Sequence, residues 1–201
     1  LILEIDKSEK IKIKDIIVYG RKEIVNKNKT FFNKKDTVYA ISNKRLKKSM
    51  KETKVKNKWR FFKASKFITA NYEDDKGNII NEYNNKGYRD AKIISDTTYL
   101  NNDKTLSIEM TIEEGEPYVF GDINFIGNTI HSNETLLRQL AIKKGDVFNQ
   151  SILDSRLFGS QEGTDLSSLY LDDGYLFFNA TPVEIATNNN SIDLEIRLYE
   201  G

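Results

Sequence analysis

Few residues of this sequence could support acid–base, nucleophilic or metal chemistry. It has one histidine, His131, and no cysteine, so no thiolate nucleophile, thiolate metal site or disulfide is available. Three acidic pairs have the chemistry to bind a hard cation, but adjacent acids at turns are usually solvated: Asp74-Asp75, Glu113-Glu114 and Asp172-Asp173. Neither common glycine-rich nucleotide-binding motif occurs. We therefore expect no enzyme activity, no cofactor and no metal, with His131 as a structural surface residue beside a helix.

A basic segment rich in aromatic residues, 54–67, is the one stretch whose composition suggests binding. Its candidate contact residues are Lys58, Trp59, Arg60 and Lys63. Cations beside aromatic rings suit an anionic membrane surface, an acidic protein or single-stranded nucleic acid. The structural alternative, which we favour, is that the aromatic rings pack under the domain while the lysines face water. A nucleic-acid-binding protein is therefore the second functional hypothesis.

Charge is unevenly distributed along the 201 residues. Up to Lys66 there are 21 Lys and Arg residues against 7 Asp and Glu, and after it 10 against 23. No run approaches the roughly 20 apolar residues of a membrane-spanning helix. The hydrophobic fraction of 38% is enough for small cores with a wet surface. We interpret most of the lysines as a solvated face.

An internal repeat organises the chain, because three kinds of motif each occur twice. An apolar strand ends in a glycine turn, a helix ends in a Gly-Tyr pair, and a strand of alternating apolar residues ends in Glu-Gly. The copies are Asp15–Arg21 and Asp122–Asn128, Tyr83–Tyr88 and Tyr170–Tyr175, and Leu106–Gly115 and Ile192–Gly201. Gly87 and Gly174 are expected to be left-handed glycines at helix ends.

Helical patterns lie between the first strand and the Gly-Tyr pair of each copy. Ser42 and Ser132 are predicted N-caps of first helices, and an apolar face predicts a second helix in each copy. In the second copy that helix is interrupted around Gly159–Gly163. The first copy carries about 20 additional residues before its Gly-Tyr pair, an insertion that we place on the basic segment.

The order strand, helix, helix, strand, strand with these motifs resembles the POTRA domains of BamA-type outer-membrane protein assembly factors. The resemblance implies an α+β chain of two tandem domains, each β-α-α-β-β with a three-stranded mixed sheet and two helices on one face. We predict the end of a preceding repeat at residues 1–7, a first domain with the basic insertion at 8–116, and a second domain at 117–201.

The resemblance also carries functional expectations. It implies a periplasmic scaffold, in a protein that also has a membrane barrel, which assists the assembly of other barrels. The implied partners are unfolded outer-membrane proteins and accessory lipoproteins, and the preferred hypothesis involves no nucleic acid. Binding is expected through strand addition, since an exposed sheet edge offers free backbone groups.

The second strand of the first domain is the predicted binding edge, since the resemblance places this strand outermost. Its candidate residues are Lys92, Ile94, Asp96 and Thr98. Simple alternation predicts Ala91, Ile93 and Thr97 facing inward and Lys92, Asp96 and Thr98 facing outward. Pro182 in the corresponding strand of the second domain supports an edge position but makes that edge the poorer template.

Overall fold

A computed structural model describes residues 11–24, 38–55, 67–160 and 163–201. The chain divides into two compact units. Unit 1 comprises Leu1–Tyr83 and Ala91–Glu114, and unit 2 comprises Asn84–Asp90 and Gly115–Gly201. The short segment Asn84–Asp90 therefore belongs to unit 2, although both of its chain neighbours belong to unit 1.

Unit 1 is built on a three-stranded mixed sheet. Its elements are β1 (Lys12–Tyr19), β2 (Glu23–Ile24), β3 (Val38–Tyr39), α1 (Asn43–Ser49), α2 (Thr69–Asn84), β4 (Lys92–Leu100) and β5 (Thr105–Glu113). The strand order is β1-β5-β4, in which β5 pairs in parallel with β1 and antiparallel with β4. The short strands β2 and β3 form a separate antiparallel pair, which the sequence motifs did not predict.

The core of unit 1 follows the apolar pattern of its strands and helices. The alternating apolar residues of β5 are all buried, as predicted: Leu106, Ile108, Met110 and Ile112. Helix α1 begins after Ser42, whose hydroxyl accepts the amide of Arg45 as a helix cap. Helix α2 buries Tyr72, Ile79 and Tyr83.

Unit 2 repeats the arrangement with three helices. Its elements are β6 (Val119–Ile126), α3 (Asn133–Leu140), α4 (Gln150–Phe158), α5 (Leu166–Asp172), β7 (Asn179–Asn188) and β8 (Ser191–Tyr199). The strand order β6-β8-β7 again places the last strand centrally. One hydrophobic cluster joins the sheet to all three helices, and its buried members include Phe120, Leu136, Leu153, Tyr170, Ile192, Leu194 and Ile196.

The second helix of unit 2 is divided into α4 and α5, so the prediction of two helices is corrected to three for this unit. Helix α4 is capped at its C-terminus by Gly159, and α5 starts anew after Asp165, whose carboxylate accepts the amide of Ser168 at 3.0 Å. The new N-cap favours a separate helix over a continuation of α4. The sequence pattern had indicated this interruption.

The additional residues of unit 1 do not lie mainly on the basic segment, which corrects that prediction. Residues 20–41 separate β1 from the cap Ser42, whereas only residues 127–131 separate β6 from the cap Ser132. A smaller surplus lies between α1 and α2. Most of the insertion is therefore located by the distance between the first strand and the cap of the first helix, and not by the position of the basic residues.

Candidate binding edge

Strand β4 is an outer strand of the unit 1 sheet. Within the described part of the chain it pairs only with β5. The opposite edge is partly occupied, because Ile13 of β1 bridges to Val55 and the Ile11 carbonyl accepts the amide of Phe67 at 3.1 Å. The more open edge of this sheet is thus the one predicted from the sequence.

A β-bulge at Ile94 changes which side chains share a face of the sheet. Ile93 lies opposite Ile112, but the next paired residue is Ser95, opposite Thr111, so Ile94 has no partner in the register. One unpaired residue inverts the alternation that follows it. The predicted orientations beyond Ile94 are therefore wrong.

The inversion places Asp96 and Thr98 on the core side of the sheet rather than the outer side. They lie opposite Met110 and Ile108, which are buried, while Thr97 lies opposite Glu109 on the other face. Lys92 precedes the bulge and lies opposite Glu113, with its Nζ 3.1 Å from the Glu113 carboxylate.

Asp96 is held by the neighbouring helix. The Lys76 Nζ of α2 lies 3.4 Å from the Asp96 carboxylate and 2.8 Å from Glu73. Hydrogen bonding to Glu73 is the main cause that raises the pKa of Lys76, and Asp96 adds to it. Burial, followed by the nearby negative charge of Asp96, raises the pKa of Tyr72. The ion pair of Lys76 with Asp96 therefore links β4 to α2.

Exposed apolar side chains lie along β4. Ile94 at the bulge is 56% exposed, Tyr99 40% and Leu100 62%. Among the predicted residues only Ile94 belongs to this set, and Tyr99 and Leu100 were missed. The available signal was that Tyr99 and Leu100 are adjacent, because neighbouring residues of a strand point to opposite faces and both cannot face the core.

Strand β7 is the equivalent outer strand of unit 2 and differs from β4. It contains Pro182, which has no amide hydrogen to donate to a ladder. Its Glu184 carboxylate is paired at 2.8 Å with Arg89, which also belongs to unit 2. A bulge at Ile185 leaves that side chain 50% exposed. The unit 2 edge is thus interrupted and partly engaged.

The repeated motifs form a tyrosine–glutamate contact in each unit. The Tyr83 hydroxyl donates to Glu114 at 2.8 Å, and the Tyr170 hydroxyl donates to Glu200 at 2.8 Å. Each glutamate also accepts a backbone amide that follows the first strand, from Lys22 in unit 1 and from Thr129 in unit 2. The contact joins the helix end, the first strand turn and the last strand, which explains why these motifs recur together.

Hydrogen bonds in this contact shift the acidity of its members. Burial, followed by the hydrogen bond to Glu200, raises the pKa of Tyr170. Burial opposes ionisation of Glu200, but hydrogen bonds from Thr129, Tyr170 and Ile130 lower its pKa overall. The ionised glutamate is thus the form that stabilises the fold.

The other chemically notable side chains have structural contacts. His131 is not a surface residue as predicted, because its ring packs edge-on against Tyr170 at 4.8 Å and its Nε2 lies 3.2 Å from the Asp173 carboxylate. Asp75 is buried, and its carboxylate accepts three successive backbone amides, those of residues 51–53. Its predicted solvated position is therefore wrong.

The described ranges contain neither a cluster of metal ligands nor a membrane-spanning helix. In residues 11–24, 38–55, 67–160 and 163–201, no group of three or more His, Cys, Asp and Glu residues could hold a metal ion. No helix in these same ranges is long and apolar enough to cross a membrane. The predicted contact residues Lys58, Trp59, Arg60 and Lys63 lie outside the described residues.

The fold and its open edge define a class of α+β repeat module. The family model for POTRA, described as surface antigen variable number repeat, matches residues 38–115 and 118–201. The chain belongs to the POTRA family, and the predicted fold class of two tandem POTRA-like units is confirmed.

Two curated relatives and one solved structure are similar to the chain. It is 27% identical over 126 residues to the outer membrane protein assembly factor BamA of Neisseria meningitidis serogroup B, covering 60% of this chain and 16% of that protein. It is 28% identical over 121 residues to a putative outer membrane protein assembly factor of Treponema pallidum, covering 58% and 14%. The Haemophilus influenzae BamA POTRA3-5 structure aligns with a TM-score of 0.55 and 19% identity, covering 95% of this chain and 66% of that one.

Proposed function

We propose that the chain is a periplasmic scaffold within an outer-membrane protein assembly factor. It binds unfolded outer-membrane proteins, accessory lipoproteins or both, near the membrane barrel of the same protein, and contributes no catalytic group. Family membership and the names of the two relatives support this role. The chain spans less than a fifth of either relative, so the role concerns one part of a larger protein.

The open edge of β4 is the observation that carries the binding mechanism. An extended segment adds to such an edge through backbone hydrogen bonds, which need no particular sequence in the client. Ile94 and Leu100 lie along this edge with more than half of their surface exposed, and they provide apolar contacts for alternate client side chains. Lys92 supplies a charge that discourages permanent pairing between copies.

Binding through β4 is proposed to exceed binding through β7. An incoming strand at β7 meets Pro182, and Glu184 is already paired with Arg89. Pro182 cannot donate a hydrogen bond to an added strand, and the ion pair with Arg89 holds the Glu184 side chain in place. Both features weaken the hydrogen bonding between β7 and an added strand.

Photo-crosslinking tests the proposed edge. A photoreactive residue is placed in turn at Lys92, Ile94, Asp96 and Thr98, and at positions 181–185, and each variant is mixed with an unfolded outer-membrane protein. We expect stronger capture along β4 than along β7. Stronger capture by β7, or capture only through the basic segment 54–67, would contradict the mechanism.

The two bulge residues provide a matched pair of variants. Ile94→Lys places a charge at the β4 bulge, and Ile185→Lys places one at the β7 bulge, where exposure is similar at 56% and 50%. With the photoreactive residue at position 98, we expect Ile94→Lys to reduce crosslinking of the unfolded outer-membrane protein several-fold. The reason is that burying a charge under a client strand is unfavourable. Ile185→Lys should leave that capture unchanged.

A further inference from the structure

The turn after α5 has the same local geometry as the turn at Gly87. Gly87 and Gly174 have φ of +88° and +92°. Each glycine carbonyl accepts the amide two residues further on, from Arg89 at 2.9 Å and from Leu176 at 3.0 Å. The two turns are therefore equivalent in the repeat.

The last residue of each turn lies against the glycine that ends its repeat. A Cβ at Gly115 would lie 3.2 Å from the Cβ of Asp90, and a Cβ at Gly201 would lie 3.3 Å from the Cβ of Phe177. The equivalence thus extends to the packing of the turn on the end of the last strand.

The Gly87 turn is covered by residues of unit 2, to which it belongs. The Tyr118 amide donates to the Gly87 carbonyl at 2.9 Å, and the Tyr118 hydroxyl donates to Asp90 at 2.8 Å. Arg89 pairs with Glu184 at 2.8 Å. A Cβ at Gly87 would lie only 2.7 Å from the Tyr118 carbonyl oxygen.

The Gly174 turn is open in the described part of the chain. A Cβ at Gly174 would meet no atom within 4 Å. The two residues that follow Tyr175 are apolar and solvent-facing, with Leu176 72% and Phe177 78% exposed. Two adjacent large apolar side chains at this exposure mark an interaction surface.

We propose that Gly174–Phe177 is the docking surface for a further POTRA repeat that follows this one in the full-length protein. Its partner surface is apolar, because Leu176 and Phe177 replace the ion-pairing Arg89 and the hydrogen-bonding Asp90 of the covered turn. The small share of each relative that the chain spans, 16% and 14%, leaves room for such a repeat. The inference rests on the internal repeat and not on client binding by β4.

Amide hydrogen exchange on two lengths of the natural chain tests the proposal. The 201-residue chain is compared with the same chain extended by the residues that follow Gly201 in its gene. We expect amide exchange over Tyr175–Phe178 to slow by about tenfold or more in the longer chain, because docking restricts local opening. Equal exchange in the two lengths would overturn the docking surface.

A variant pair separates docking from other effects. The double variant Leu176→Arg with Phe177→Asp gives the Gly174 turn the residues of the Gly87 turn. The control is Phe158→Arg, which changes an apolar residue at the end of α4 that is 47% exposed. In the longer chain the double variant should lose the added protection, while Phe158→Arg should retain it. Sedimentation that shows the 201-residue chain pairing with itself through this turn would also overturn the proposal.

Discussion

The two units share one internal contact and differ in what surrounds it. Glu114 of unit 1 is buried, at 2% exposure, whereas Glu200 of unit 2 is partly exposed. The two equivalent turns differ as well, although both belong to unit 2: the turn at Gly87 is covered and the turn at Gly174 is open. The same motif therefore contributes differently to stability, because the cost of losing a hydrogen bond depends on whether water can replace it.

The largest expected effect comes from the paired glycines. Gly87→Val should lower the free energy of unfolding by about 3–5 kcal/mol, since it adds both left-handed strain and a collision with the Tyr118 carbonyl. Gly174→Val should cost only about 1–2 kcal/mol, from the backbone angle alone. Denaturant unfolding of each variant measures the difference, and equal losses would show that the cover of Gly87 is unimportant.

A smaller difference is expected between the two glutamates. Glu114→Ala should destabilise unit 1 by about 3 kcal/mol, because it leaves the Tyr83 hydroxyl and the Lys22 amide without this acceptor. Glu200→Ala should destabilise unit 2 by about 1–2 kcal/mol, since water can replace the glutamate at the exposed residues Thr129 and Ile130. Tyr83→Phe and Tyr170→Phe complete a double-mutant cycle for each contact. Identical losses in both units would contradict the role of burial.

The smallest effect is on the pH dependence of unit 2. The folded pKa of Glu200 lies below its ordinary value of 4.5, so its contribution is present above that pH and is lost as pH falls through the folded pKa. Glu200→Gln should therefore flatten the decline of stability below pH 4.5. Thermal unfolding at a series of pH values checks this, and an unchanged pH profile would remove Glu200 as a contributor.

The repeated motifs carried a resemblance to POTRA domains, and that resemblance implied the fold class and the outer position of the second strand. Ser42 and Ser132 were also identified as caps, because a hydroxyl before an apolar helical pattern has a local meaning. Tertiary features were not predictable in this way. The bulge at Ile94 depends on register with β5, and the burial of Asp75 depends on amides more than 20 positions away.

At the candidate binding edge, too, some features were predicted from the sequence and others were not. The strand was identified correctly, but the faces of Asp96 and Thr98 were not, because one unpaired residue reverses a period of two. Tyr99 and Leu100 were not predicted, because the alternation of residue types does not reveal how exposed a side chain is. The resemblance thus implied which strand is outermost, whereas the face on which each side chain lies depends on a bulge that the sequence pattern does not show.

The parallel pairing of β1 with β5 has a consequence for synthesis. Ile13 pairs with Leu106, so the first strand of unit 1 has no neighbouring strand in its sheet until most of that unit has left the ribosome. Contacts between such distant positions form slowly, because a long loop must close before they contribute. During that interval the apolar side chains of β1 lack their sheet neighbour, which makes the nascent chain prone to aggregation.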